Sequence, residues 1–125
     1  MPDINWASDY EEIIQRHSRN LGRDKNRVAV FEKIYGRHRR PWTYKTLLVE
    51  LGVSEEDGQV IRNALNKLAG AGLIKKEARK PTKEDPSRSQ FSKLEAVSAH
   101  KVKILDWAKN PEKANQVVTL SLIHI

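Results

Sequence analysis

Two amphipathic segments separated by only three residues constrain most strongly how this chain can fold. The first, residues 44–51, has leucines at helical spacing and is followed by Gly52, a residue type that often ends a helix. The second, residues 55–70, follows Ser54, a residue type that caps helix N-termini. The sequence therefore predicts two helices joined by a tight turn. The apolar face of the second helix is predicted to consist of Val60, Ile61, Ala64, Leu65 and Leu68.

Apolar residues recur at helical spacing in two earlier segments. Residues 9–21 follow Ser8, and residues 25–36 follow Asp24, so both segments have a residue that can cap a helix N-terminus. His17 lies on the apolar stripe of the first segment without a second metal ligand at helical spacing. We therefore expect two more helices, with His17 as a partly buried structural residue.

The pattern changes after residue 72. Residues 73–79 and 90–97 alternate imperfectly in polarity, and they flank the polar, proline-containing segment 80–89. This arrangement predicts two strands joined by a long loop. Pro41-Trp42 predicts a short extended piece, because the residue before a proline avoids the helical region.

The C-terminal part is predicted to add one more helix. Residues 99–109 have apolar residues at helical spacing after Ser98, within a C-terminal region of residues 98–116. The last residues, 117–125, are unusually apolar and β-prone for a chain end. They either pair with another segment or are an artefact of truncation.

The order helix, short strand, helix, turn, helix, strand, loop and strand over residues 25–97 is similar to that of the winged-helix superfamily of DNA-binding domains. Leu65 to Lys76 resembles the end of that family's recognition helix and the start of its wing, and Phe91 to Leu94 resembles the returning wing strand. No motif identifies a subfamily. The resemblance implies a mainly α fold with a small β-hairpin (α+β), within a single domain of residues 1–125 that has extra N- and C-terminal helices.

The positive charge of the chain is concentrated in two segments. Its 125 residues have a formal net charge of +7, while residues 24–40 and 75–93 have +4 each. Clustered cations bind a polyanion well, because phosphates that are neutralised together release their counterions together. The alternative is that these residues are only solvated surface charges. Charge alone does not choose between nucleic acid, an anionic membrane surface and an acidic protein.

The resemblance implies that the partner is duplex DNA and not a membrane, and it implies how the domain would bind. Residues 55–70 correspond to the helix that enters the major groove, and residues 79–90 to the wing, which follows the backbone or the minor groove. The outer face of the helix has amides and a guanidinium group that can pair with base edges. The residues predicted to contact DNA are Arg39, Arg40, Tyr44, Lys45, Gln59, Arg62, Asn63, Asn66, Lys67, Lys76, Arg79, Lys80, Lys83 and Arg88.

One feature departs from this pattern. Glu55, Glu56 and Asp57 are predicted to occupy the first turn of the presumed recognition helix, where carboxylates would repel phosphates. This departure leaves open an alternative function as a protein–protein interaction module. Separately, the predicted helices at residues 9–21 and 99–109 have apolar stripes outside the winged-helix core, which suggests a homodimer formed through them. The alternative is that these helices pack on their own domain.

Other classes of function are disfavoured by the sequence. Cysteine is absent and the four histidines are scattered, so neither a cysteine-containing zinc site nor a histidine metal cluster is expected. No nucleophile elbow, phosphate-binding loop or dinucleotide fingerprint is present. We therefore expect no enzyme activity, metal or cofactor. With no apolar run long enough to span a membrane, the protein is expected to be cytoplasmic.

Overall fold

The computed structural model describes residues 6–37 and 40–112. In chain order its elements are α1 (Trp6–Leu21), α2 (Lys25–Ile34), β1 (Trp42–Thr43), α3 (Tyr44–Leu51), α4 (Gln59–Gly70), β2 (Lys75–Ala78), β3 (Ser89–Ser92), α5 (Glu95–Ser98) and α6 (Lys101–Lys109). The predicted tail at residues 117–125 lies outside the described residues. Within the described ranges, none of the helices has the length and apolar character that crossing a bilayer requires.

The three strands form one antiparallel sheet in the order β1-β3-β2. Phe91 on β3 lies opposite Trp42 on β1 and Lys76 on β2. The predicted hairpin is therefore confirmed, and the extended piece at Pro41-Trp42 extends into a third strand. The run α2-β1-α3-α4-β2-β3 is the winged helix-turn-helix arrangement, which confirms the predicted mainly α, α+β fold class.

Helix caps confirm two of the predicted starts. The Asp24 carboxylate accepts hydrogen bonds from the Asn26 and Arg27 backbone N–H groups, each at 3.0 Å. Thr43 caps α3, and its side chain and that of Thr46 bond reciprocally to each other's backbone N–H groups. Both caps satisfy N–H groups that a helix terminus leaves without intrahelical partners.

Three predicted boundaries were wrong. Helix α1 begins at Trp6, so Ser8 lies inside its first turn and does not precede the helix. Residues 94–97 are not a strand, because β3 ends at Ser92 and α5 follows, burying Val97 in the core. Ser98 is the last residue of α5 and does not cap α6, which begins at Lys101. The imperfect alternation of polarity over residues 90–97 therefore covers both the strand β3 and the first residues of the short helix α5.

The start of α4 also differs from the prediction. Residues 55–58 form a separate turn, in which the Asp57 N–H bonds to the Ser54 carbonyl at 3.1 Å, and α4 begins only at Gln59. Gly58 lies directly under the Tyr44 hydroxyl oxygen, which a Cβ at that position would overlap. The acidic residues thus precede the helix. Val60 was predicted to lie on the apolar face of α4 but is 45% exposed. The side of α4 that packs in the core consists of Ile61, Ala64, Leu65 and Leu68.

The added terminal helices pack into the same core as the winged-helix elements. Ile14 and Leu21 of α1 are buried together with Ile104 and Trp107 of α6, in one cluster that continues into α2 and α4. Burial of this apolar surface is the main source of stability. The terminal helices therefore cover each other within one chain.

The hydroxyl of Tyr35 connects α2 with both ends of the β2–β3 hairpin. It donates to the Leu73 carbonyl at 2.5 Å and accepts from the Leu94 N–H at 3.1 Å, while Lys101 Nζ donates to the Tyr35 carbonyl at 3.0 Å. Burial raises the pKa of Tyr35, although the hydrogen bond from Leu94 acts in the opposite direction. The phenol therefore stays protonated and can donate to Leu73.

Replacing Tyr35 with Phe should destabilise the fold, because it leaves the Leu73 carbonyl and the Leu94 N–H without this partner. We expect the free energy of unfolding to fall by about 1 to 3 kcal/mol, measured by urea denaturation. Tyr10→Phe is the control, since Tyr10 is 42% exposed and its hydroxyl bonds to the His100 ring at the surface, whereas Tyr35 is 3% exposed. Equal losses in the two variants would contradict the role of the buried hydroxyl.

Candidate nucleic-acid interface

The outer face of α4 presents the predicted base-contacting residues to solvent. The five α4 residues predicted to contact DNA are all exposed: Gln59, Arg62, Asn63, Asn66 and Lys67. Gln59 Nε2 donates to Asn63 Oδ1 at 2.8 Å, so these two amides orient each other. Ile61 and Leu65 face the core, which places the polar residues on the opposite side of the helix.

A groove of about 440 Å³ lies between α4 and the hairpin. We call it the α4–wing groove. Its lining includes five residues of the predicted set, namely Tyr44, Arg62, Asn66, Lys76 and Arg88. Leu65 and Phe91 contribute apolar surface beneath them, and Ser87 and Ser89 contribute hydroxyls. The groove therefore combines three cations with amide, hydroxyl and aromatic groups, a composition suited to nucleic acid.

Arg79 lies inside the wing rather than on its surface. Its Nη1 donates to the carbonyls of Asp85 at 3.1 Å and Ser87 at 2.6 Å, and it lies 3.8 Å from Asp85 Oδ1. The Arg79 N–H also bonds to the Arg88 carbonyl at 3.0 Å, which closes the base of the loop. Arg79 therefore organises the wing, and its predicted contact with DNA stays a prediction.

Asp85 attaches the wing to the start of α3. Its Oδ1 accepts from the Ser87 N–H at 3.0 Å, and its Oδ2 accepts from the Thr43 hydroxyl. Burial alone would raise the pKa of Asp85, but the hydrogen bonds from Ser87 and Thr43 and the charge of Arg79 outweigh it and lower the pKa. Lys45 Nζ donates to the Glu84 carbonyl and adds a second tie between α3 and the wing. Sequence reasoning did not foresee the bond between Asp85 and Thr43, and its only signal was an Asp-Pro pair within a long loop.

The remaining predicted residues are spread over other surfaces. Asn63 and Lys67 line a second cleft of about 360 Å³ beside Asp24, Arg27 and Val60. Further members of the set, Arg40, Lys80 and Lys83, are exposed. Arg39 lies outside the described residues. The structure thus brings together five of the predicted contacts in one groove and places others around it.

Two further sequence features can be located. His17 is partly buried on α1, and burial, helped by the charge of Arg16, lowers its pKa. Its partial burial agrees with the prediction. Within residues 6–37 and 40–112, no cluster of three or more histidine or acidic side chains could hold a metal ion.

Asp85→Asn should weaken the attachment of the wing in a pH-dependent way. The lowered pKa means that the Asp85 carboxylate stabilises the fold fully above its unfolded pKa, about 3.9. That contribution is lost as the pH falls through the still lower folded pKa. We expect the wild type to be more stable than the variant by about 1 to 3 kcal/mol at pH 7 and the gap to close toward pH 2, measured by urea denaturation.

Asp57→Asn provides the matched control, because the exposed Asp57 carboxylate bonds only locally, to Ser54 at 3.1 Å. Its difference from the wild type should be small at both pH values. A pH-independent difference for Asp85→Asn would show that the charge of Asp85 does not hold the wing.

Comparison with known proteins does not identify a family for this chain. No protein-family model matches the chain, and no curated protein matches its sequence. Among solved structures, a mutant of S. aureus MepR is similar, with 15% sequence identity, a TM-score of 0.47, and coverage of 99% of this chain and 94% of that chain. The order of the helices and the pairing of the strands give the chain a winged-helix fold, to which α1 is added before the core and α6 after it.

Proposed function

We propose that this protein binds duplex DNA, as a transcription regulator or as the DNA-binding part of a larger protein. The observation that carries the proposal is the α4–wing groove, where Arg62, Asn66, Lys76 and Arg88 converge beside the exposed face of α4. In the proposed complex α4 enters the major groove, and the wing follows the backbone or the minor groove.

The exposed amides of α4 are suited to contact base edges. Because Gln59 Nε2 donates to Asn63 Oδ1, the Gln59 oxygen and the Asn63 amino group remain directed to other partners. An acceptor and a donor side by side match the edge of adenine, and the Arg62 guanidinium matches that of guanine. This chemistry supports base reading by the middle of α4.

The proposed phosphate contacts are cations that have no acidic partner in the described part of the chain. They are Lys45, Lys67, Lys76, Lys80, Lys83 and Arg88. Lys45 bonds to a carbonyl, which orients its ammonium group without neutralising the charge. We propose that Arg39 and Arg40, which lie in the basic segment 24–40, also contact phosphates. Arg79 is assigned a supporting role within the wing.

The acidic turn limits how the duplex can lie. Glu55, Glu56 and Asp57 are exposed just before α4 and would repel phosphates there. We infer that the DNA backbone avoids this end and passes over the wing side of the helix. The turn also keeps the protein-interaction alternative open, because an acidic turn can recognise a basic partner.

Reversing the charge of the wing should test the phosphate contacts. Lys80→Glu with Lys83→Glu should weaken binding to all DNA sequences alike, and the slope of log affinity against log salt should fall by about 0.9 for each lost contact. Affinity is measured by fluorescence anisotropy over a range of salt concentrations.

Arg16→Glu with Arg23→Glu is the matched control, since it changes the net charge equally at exposed positions outside the proposed interface. Equal effects of the two pairs would indicate attraction by net charge alone. Affinity of the wild type that does not depend on salt would favour the protein-interaction module instead.

We also propose a homodimer through the exposed sides of α1 and α6. Ile13 on α1 is 49% exposed and Val102 on α6 is 73% exposed, although the same helices bury Ile14, Leu21, Ile104 and Trp107 within the chain. Light scattering should give the mass of a dimer at micromolar concentration, and Ile13→Lys with Val102→Lys should give a monomer. A monomeric wild type, both free and saturated with DNA, would exclude the dimer.

A further inference from the structure

Tyr44 and Arg62 form a stacked pair in the α4–wing groove. The guanidinium carbon of Arg62 lies 4.1 Å from the centroid of the Tyr44 ring, and both side chains line the groove. Tyr44 is the first residue of α3 and is half-buried, whereas Arg62 is exposed on α4. A cation over an aromatic face is attracted by the quadrupole of the ring.

The ring of Tyr44 is held in place by the start of α4. Gly58 is buried beneath the Tyr44 hydroxyl, and a side chain of any size at this position would displace the ring. The carbonyl of the same glycine accepts the backbone N–H of Arg62 at 3.0 Å. One residue therefore sets the distance between the Tyr44 ring and the backbone that carries Arg62.

The donors of Arg62 stay available while its face is stacked. Among the described residues, Arg62 has neither an acidic partner nor a hydrogen-bond acceptor for its guanidinium group. Stacking occupies the flat face of the group, and its N–H donors point along the edges. An arginine ordered in this way loses less conformational freedom when it makes a paired hydrogen bond.

We propose that Tyr44 is a positioning residue for base reading by Arg62. Tyr44 holds the guanidinium plane so that its edge can meet O6 and N7 of a guanine, and it makes no base contact of its own. The inference rests on the proposed DNA-binding function. It assigns to Tyr44 a part in sequence selectivity and none in general affinity, which separates it from a direct phosphate contact.

The test is a binding-site selection from a random double-stranded DNA library at one salt concentration. It compares the wild type, Tyr44→Phe, Tyr44→Met, Arg62→Ala and the double variant Tyr44→Met/Arg62→Ala. Tyr44→Phe retains the ring and should retain the selected sequence. Tyr44→Met keeps apolar bulk without an aromatic face. It should weaken the preference at one or two guanine positions by about two- to five-fold, with the salt slope unchanged because the substitution removes no cation.

The double variant identifies how Tyr44 acts. If Tyr44 works only through Arg62, its replacement should have no further effect once Arg62 is absent. Additive effects, or an equal loss of specific and nonspecific affinity in Tyr44→Met, would overturn the proposal. Circular dichroism melting checks that the variants fold. If Tyr44→Met does not fold, a loss of the guanine preference in Tyr44→Phe overturns the proposal equally.

The wild type distinguishes this inference from the proposed function. A wild type that binds duplex DNA but selects no sequence overturns the role of Tyr44 and leaves DNA binding intact. A wild type that does not bind the library overturns both. A selected sequence that contains a guanine preference abolished by Arg62→Ala and weakened by Tyr44→Met is the expected result.

Discussion

The buried hydroxyl of Tyr35 is the interaction on which the geometry of the candidate interface depends. It joins α2 to Leu73 just before β2 and to Leu94 just after β3, so both ends of the hairpin are attached to the helical core at one point. Neither strand can slide relative to α2 without breaking one of these bonds. Because α4 packs on the same α2, the distance between α4 and the hairpin follows from this attachment. The groove between them is therefore a consequence of core packing.

A second attachment acts at the far end of the hairpin. Asp85 bonds to Thr43, the residue that also caps α3, so the wing and the start of the helix-turn-helix share one polar cluster. Arg79 completes the cluster by bonding to two carbonyls of the loop. A loop of this length would otherwise have many conformations, and ordering it beforehand would reduce the entropy lost in the proposed association with DNA. The cluster thus links local loop structure to the proposed function.

Local sequence patterns predicted most of the helices, because hydrophobic periodicity and capping residues are local signals, and the resemblance of their order to the winged-helix superfamily implied the fold class. Local patterns failed where a tertiary contact determines a helix boundary or the role of a side chain. The start of α4 depends on Gly58 lying under Tyr44, which is 14 positions away in sequence. The role of Arg79 depends on Asp85, across a loop whose conformation composition does not specify. The sequence predicted which residues of α4 are exposed. It did not predict that some of them line a cleft beside α2 and others the groove beside the wing, because these neighbours flank α4 only in the folded structure.

The charge of the wing region shows why clustering in sequence differs from clustering on a surface. Along β2, alternation places Lys75 and Glu77 on one face of the strand, where they pair at 3.1 Å, and Lys76 on the other face, where it lines the groove. Arg79 is retained inside the wing by Asp85. The positive charges that line the α4–wing groove therefore belong to Lys76 and Arg88 together with Arg62 of α4, which lies in a different sequence segment. The fold brings charge from two segments to one surface, and a polyanion responds to that surface rather than to the charge of either segment.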